Sequence, residues 1–159
     1  MQVQEAFTPA IENPVNTPVR QLSVFLHNRV GTLMALVKLL NDNKIEVLGI
    51  SMQETTELNL ARLILSDPES AETLFMERGI PHTDCRVIVT EIHEGGDHTL
   101  SACLSALLTA EINIEFSYPL MCRPGNWPLL VLRVDDLEVG SDALLKAGFK
   151  LLGQGDISR

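Results

Sequence analysis

The sequence repeats itself once when it is shifted by 67 residues, and this duplication limits the possible folds more than any other feature. The shift places Thr32-Leu33 on Thr99-Leu100 and Ile45 on Ile112. Further identical pairs are Ala35 with Ala102, Leu40 with Leu107, Leu63 with Leu130, and Leu65 with Leu132. Because the same faces of the same elements stay apolar in both halves, the pattern predicts a duplicated fold.

The residue pattern within one half indicates its elements. VRQLSVFLH alternates like a half-buried strand, and TLMALVKLLNDN has the apolar spacing of a helix. IEVLGISMQE and LNLARLILS predict two strands around a turn at residues 55–57, and Asp67-Pro68 predicts a second helix that ends at Gly79. With one more strand, this order predicts an α+β fold of two ferredoxin-like βαββαβ units in tandem, with antiparallel sheets and helices on one face.

The junction between the halves is short. The segment IPHTDCRVIVTEIH must supply both the last strand of the first half and the first strand of the second. At roughly 3.3 Å per residue it makes either one long strand or two short ones with a bend near Asp84. We therefore expect two sheets joined through this segment, with FKLLGQGDI as the closing strand. The predicted domains are a flexible arm over residues 1–18, a first unit over 19–84 and a second over 85–159.

The composition excludes several classes of partner. The formal net charge is −9, which argues against a nucleic-acid surface, and no apolar run reaches the roughly 18–20 residues that span a bilayer. The start, MQVQEAFTPA, has no basic segment followed by an apolar one, so we expect no secretory signal. The three cysteines are widely spaced and form no C-x-x-C motif. The sequence predicts a cytoplasmic protein with no nucleic-acid or membrane partner.

The sequence also lacks the motifs with which other ferredoxin-like proteins bind RNA or soft metals, and it lacks the common catalytic motifs. RNA-recognition modules need exposed aromatic residues on the central strands, where SVFLH and ARLILS offer only Phe25. Soft-metal carriers need cysteines in the first loop, and neither HNRVG nor HEGGDH has one. No Ser/His/Asp context, phosphate loop or H-E-x-x-H motif is present, and Asp135-Asp136 is typical of a helix cap. We expect no catalytic activity, no cofactor and no metal.

The loop between the first strand and the first helix is the candidate binding site. Gly31, just ahead of the helix, allows a ligand to approach the backbone closely. The N–H groups of Thr32 to Met34 and the positive end of the helix dipole suit a carboxylate. Asn28 offers an amide, and Arg29 could pair either with a ligand carboxylate or with surface acids. Alternatively, Asn28 and Gly31 serve only the turn.

The segment LSVFLHNRVGTLMALVKLLNDNKIEVLGISM resembles the opening of an ACT domain, a small-molecule-binding regulatory module. Asn28, Gly31, Leu33 and Asn43-Lys44-Ile45 hold its motif positions, and the resemblance extends from Val19 to Ile157 as two units. It implies a regulatory protein that binds an amino acid and is similar to regulatory subunits of acetolactate synthase. The alternative is an interaction subunit of an amino-acid biosynthetic enzyme of that kind, with or without a ligand.

We expect one ligand between the first loop and a neighbouring second strand. The predicted site residues are Asn28, Arg29, Val30, Gly31, Thr32, Leu33, Ile50, Ser51 and Met52. The second strand, IEVLGISM, has little charge and no proline, so its outer edge favours pairing and predicts at least a dimer.

The second loop departs from the first. His98 stands where Gly31 is expected, and Glu94 and Asp97 disfavour a bound carboxylate. A weaker second site is predicted at Gly95, Gly96, Asp97 and His98, favoured at mildly acidic pH where histidine gains charge. The alternatives are a metal site from His93, Asp97 and His98, or a solvated loop in which Asp97 caps the helix. A redox role for Cys122 would require a low pKa, for which Arg123 is the candidate cause, whereas Cys103 is typical of a core residue.

Overall fold

The computed structural model describes residues 17–27 and 29–158. Most of the predicted N-terminal arm and the predicted site residue Asn28 therefore lie outside the described residues. The strands and helices, in chain order, are β1 (Val19–His27), α1 (Thr32–Asp42), β2 (Val47–Glu54), β3 (Leu58–Leu65), α2 (Pro68–Arg78), β4 (His82–Glu91), α3 (Leu100–Thr109), β5 (Ile114–Pro119), β6 (Leu129–Val134), α4 (Leu137–Lys146), β7 (Leu151–Leu152) and α5 (Gln154–Ile157). Within the described ranges, every helix is too short or too polar to cross a bilayer.

The helix ends follow the sequence signals. Asp67 caps α2 by accepting a hydrogen bond from the Ser70 backbone N–H at 3.1 Å, and the side-chain and backbone bonds from Ser70 lower the pKa of this carboxyl. Pro68 is the first residue of α2, and Gly79 ends it with φ 65°. Asp136 caps α4 in the same way, accepting from Val139 N–H at 3.0 Å. The predicted caps are therefore confirmed.

One long strand joins the two halves, as the first of the two alternatives predicted. The strands follow the order β2-β3-β1-β4-β6-β5, and β7 also pairs with β4. The first part of β4 pairs with β1 up to the Val87–Val19 pair, and the part from Ile88 onward pairs with β6. β4 is thus the last strand of the first unit and the first strand of the second. The predicted domain boundary after Asp84 falls inside it.

The predicted closing strand, FKLLGQGDI, is shorter than expected. Only Leu151–Leu152 forms β7, and Gln154–Ile157 turns into the short helix α5. At Val89 and Thr90, β6 pairs with one edge of β4 and β7 with the other. The edge that β7 uses is already paired with β1 up to Val87. The shared strand therefore leaves room for two residues of β7, which explains the difference.

Three cores hold the fold together. Helices α1 and α2 cover one face of the first half-sheet, and α3 and α4 cover the equivalent face of the second. The helix-free faces of both halves share the third core, whose residues include Val19, Ile64, Val87, Tyr118 and Val131. The sheet curls so that β2 approaches β5.

A buried hydrogen-bond network links the two units inside the shared core. The Tyr118 hydroxyl donates to Gln21 Oε1 at 2.6 Å, and Gln21 Nε2 donates to Ser23 Oγ at 3.2 Å. Burial raises the pKa of Tyr118, so this hydroxyl keeps its proton and remains a donor. At the sheet edge, the Met121 N–H donates to Leu48 O at 2.7 Å. Both contacts fix the second unit on the first.

Candidate functional site

The first turn of α1 has backbone donors that find no acceptor among the described residues. Gly31 precedes the helix with φ 86° and provides no side-chain cap. The first helical bond runs from Ala35 N–H to Gly31 O at 2.9 Å, and the Thr32 hydroxyl donates to carbonyls of the loop itself. No described residue accepts from the backbone N–H of Leu33 or Met34. With the positive end of the helix dipole, these donors favour an anion here.

The neighbouring loop residues add positive charge. Arg29 is exposed, its backbone N–H donates to His27 O at 2.8 Å, and no carboxylate in the described residues pairs with its guanidinium. Val30 is fully exposed. Arg29 through Leu33 therefore form one loop and one helical turn that present a cation and amides without a described acceptor.

The predicted residues of β2 lie elsewhere in the chain. Ser51 pairs with Arg62 of β3, and Arg62 pairs with Ser23 of β1, so two strand spacings separate β2 from β1. That is roughly 10 Å, and the loop begins several residues further along β1. Ile50, Ser51 and Met52 stand on an outermost strand of the sheet instead. Within one chain the structure does not bring them against the loop.

An apolar cleft of about 560 Å³ lies beside the first loop. No pattern in the sequence predicts this cleft. It opens between the end of β1, one flank of α1, the start of β3 and the turn from α2 to β4. Its lining residues are Phe25, Leu26, His27, Thr32, Ala35, Leu36, Leu39, Leu58, Gly79, Ile80 and Pro81. Thr32 belongs both to this lining and to the first turn of α1, so the cleft begins at the same helical turn as the amides of Leu33 and Met34.

The second loop ends in a capped helix. It comprises residues 92–99, and its last residue, Thr99, is the N-cap of α3. Thr99 Oγ1 accepts from the Ala102 N–H at 3.2 Å. The alternative in which Asp97 caps this helix is therefore wrong, because Thr99 occupies the capping position. Gly95, Gly96 and Asp97 are exposed at the tip of the loop.

His98 packs against the residues of the second unit that correspond to one wall of the apolar cleft. Its ring packs edge-on against Phe149, with the ring centroids 4.9 Å apart. Phe149 corresponds to Ile80 of the cleft, because each follows a helix-ending glycine and donates back to its helix, Ile80 to Phe75 O and Phe149 to Leu144 O. His93 lies edge-on to His98 at 5.7 Å between ring centroids. The second unit thus buries its equivalent surface under its own side chains.

Further groups surround the second loop. His93 stacks on Trp127, with 3.9 Å between the ring centroids. Glu91 is buried, and its carboxylate lies 3.4 Å from His93 Nε2 and 3.5 Å from Lys150 Nζ. This buried acid adds to the conditions that disfavour a carboxylate ligand here. Within residues 17–27 and 29–158, no three His, Cys, Asp or Glu side chains are grouped so that they could hold a metal ion.

The three cysteines are free thiols with raised pKa values. Cys103 is buried in the second-unit core, and desolvation raises its pKa to about 11. Burial also raises the pKa of Cys85 and of Cys122. Since the thiolate is the reactive form, Cys122 lacks the low pKa that the redox hypothesis required.

Comparisons with known proteins agree with this fold. A family model described as an ACT domain pair matches residues 17–159. No curated protein sequence matches the chain. The crystal structure of protein BT0572 from Bacteroides thetaiotaomicron superimposes with a TM-score of 0.81 at 22% identity, covering 90% of this chain and 97% of that one.

Two further structures resemble the chain more distantly. The ligand-free regulatory subunit of aspartate kinase from Thermus thermophilus has a TM-score of 0.56 at 13% identity, and the subunit from Thermus flavus has 0.52 at 14%. Each alignment covers 84% of this chain and 95% of the other. At these identities, the three structures establish similarity of fold alone.

Proposed function

Because the chain belongs to the ACT domain pair family over residues 17–159, we propose that it is a non-catalytic regulatory protein that binds an amino acid at the first loop. The family match confirms the resemblance noted in the sequence and the tandem arrangement of two ferredoxin-like units. The proposed ligand carboxylate accepts hydrogen bonds from the first turn of α1, and Arg29 provides the opposite charge.

The contrast between the two helix starts is the observation that carries the proposal. In the first unit, Gly31 leaves the N–H groups of Leu33 and Met34 without a described acceptor. In the second unit, the Thr99 hydroxyl caps the helix and His98 packs over the adjacent surface. Both helices begin at corresponding places in duplicated units, yet only the second has a side-chain cap among the described residues. A ligand carboxylate would supply to the first an acceptor that no described residue provides.

The carboxylate contact can be tested by comparing an amino acid with its carboxamide. A thermal-shift screen of the twenty amino acids identifies a ligand, and calorimetry then measures its affinity and that of its amide. We expect the amide to bind at least 10-fold more weakly, because hydrogen bonds to a charged acceptor contribute about 1.5–3 kcal/mol. Equal affinities would contradict the proposed orientation, and a screen without any hit would contradict the proposed function.

We further propose that two copies of the chain form a dimer through β2. This strand is outermost in the sheet, and Ile50, Ser51 and Met52 lie on it. The start of β2 is covered within the chain, where the Met121 N–H donates to Leu48 O at 2.7 Å, so the edge that remains for a second copy is the part from Ile50 onward, and such an edge pairs readily with another strand. A partner chain could also place its own β2 against the first loop, which one chain does not do. Light scattering of the full chain should give at least twice the monomer mass, and a monomer at micromolar concentration would contradict this.

A second candidate function is that of an interaction subunit for a biosynthetic enzyme. The observation that favours it is a stripe on α3, where Leu100, Leu104 and Leu108 are 48%, 42% and 77% exposed. These residues lie four apart on one helix face, and LSACLSALLT has no charged residue although the whole chain carries a net charge of −9. Co-elution with a catalytic subunit that Leu104→Glu abolishes would favour this function, and ligand binding without such a partner would favour the first.

A further inference from the structure

We infer that the apolar cleft beside the first loop receives the side chain of the bound amino acid, so that the site selects apolar side chains such as that of leucine. This inference rests on the proposed function, because it takes an amino acid at the first loop as its starting point. It adds the chemical class of the ligand, which the loop alone does not determine.

The lining of the cleft has almost no polar groups to offer. Apart from backbone, its polar side chains are those of His27 and Thr32. The Thr32 hydroxyl already donates within the loop, to carbonyls of His27 and Arg29 at 3.1 Å. That leaves the His27 ring as the one lining side chain able to pair with a polar ligand group, so a charged or amide side chain would lose most of its water for few partners, whereas an aliphatic side chain gains from burial.

The position of the cleft matches the geometry of an amino acid. Thr32, the first residue of α1, lines the cleft, and the N–H groups of Leu33 and Met34, for which no described residue is an acceptor, belong to the same turn. One helical turn rises about 5.4 Å. A carboxylate held by these amides thus leaves the side chain of the same molecule within reach of Ala35, which lies within one turn of Thr32.

The size of the cleft also fits a small ligand. Its volume of about 560 Å³ lies within the roughly 300–1,000 Å³ that is usual for small-molecule sites. In the second unit, the His98 ring packs against Phe149, which occupies the position of the cleft residue Ile80. The first unit therefore has a cleft at the place where, in the second unit, a side chain of the loop packs against the fold.

Ala35 offers a way to fill the cleft without disturbing the core. It is exposed on α1 and lines the cleft, so a larger side chain at this position takes the ligand's place and removes no buried contact. Ala35→Phe fills the cleft most fully, and Ala35→Leu is a smaller change with high helix propensity. Ser105→Phe is the matched control, because Ser105 is exposed on α3 and does not line the cleft.

Calorimetry on the full chain tests the inference with alanine, leucine and aspartate as probes. Burial contributes about 4-fold in affinity per methylene, so leucine should bind on the order of 50-fold more tightly than alanine, and aspartate no more tightly than alanine. Ala35→Phe should lower the affinity for leucine at least 10-fold and change the affinity for alanine little. Ala35→Leu should lower the affinity for leucine by a smaller factor, and Ser105→Phe should bind leucine as the wild type does.

Two results would overturn the inference. One is tighter binding of aspartate than of leucine, and the other is unchanged leucine affinity in both Ala35 variants while their circular dichroism stays native. Either result leaves the proposed function standing, provided that the amino acid that does bind is lost when Arg29 is changed to glutamine. Absence of binding by all three probes and by the remaining amino acids would instead contradict the proposed function itself.

Discussion

Replacing Gly49 with valine should lower the free energy of unfolding by about 3 kcal/mol, at the upper end of the cost of overpacking a core. Gly49 lies in β2 where the end of the β5 segment crosses it. A Cβ atom there would stand 2.3 Å from Leu120 Cδ2 and 3.6 Å from Tyr118 Cε2. Leu120 and Tyr118 are both buried in the core shared by the two units, so neither can move away without loss of packing.

Urea denaturation followed by circular dichroism measures this effect. Gly95→Val is the matched control, since nothing lies within 4 Å of a Cβ at Gly95 and the residue is exposed in the second loop. The control should change the free energy of unfolding by no more than about 0.5 kcal/mol. If Gly49→Val unfolds at the same urea concentration as the wild type, the two units do not pack against each other as described.

The fold was predictable because its main determinants are local and repeated. The apolar spacing of Leu36 and Leu40 recurs at Cys103 and Leu107, and each pair forms the buried face of its helix. The few residues between the halves limited the junction to one long strand or two short ones, and the structure has the long strand β4. The shortness of β7 was not predictable from FKLLGQGDI. It depends on β1, a distant segment, pairing with the same edge of β4.

The candidate site was predictable only in part. The loop from Arg29 to Leu33 is contiguous in sequence, so its glycine and the following helix already suggested an anion site. The cleft combines residues from four separate segments, and no spacing within one segment indicates it. A local indication of the cleft was the small side chain of Ala35 beside the larger apolar side chains of Leu36 and Leu39 on the same flank of α1. The position of Ile50 to Met52 depends on the strand order, which places β3 between β2 and β1.

The difference between the two loops predicts a large loss of amino-acid affinity when the first loop alone is changed. Changing Gly31 to aspartate should weaken amino-acid binding at least 30-fold, because it places a negative charge beside the amides that hold the ligand carboxylate. Gly31 has φ 86°, a conformation that aspartate tolerates better than most residues, so the fold should persist at a cost of about 1 kcal/mol. Calorimetry with the ligand found in the screen measures the loss.

The second loop offers a closely matched control for this change. Gly96 has φ 79°, and a Cβ there meets nothing within 4 Å, as at Gly31. Gly96→Asp therefore changes the net charge and the backbone strain by similar amounts in the other unit. We expect it to leave the affinity within about 2-fold of the wild type, at roughly 0.4 kcal/mol. The opposite pattern, with binding lost in Gly96→Asp and retained in Gly31→Asp, would assign the ligand to the second loop.

The number of ligands per chain tests the central claim most directly, since we propose that the first unit binds and the second is closed by its own residues. Calorimetry at pH 7.5, with the concentration of folded chain determined independently, should give one amino acid per chain. A ratio near two would show that Thr99 and His98 do not exclude a ligand from the second unit, and it would contradict the account.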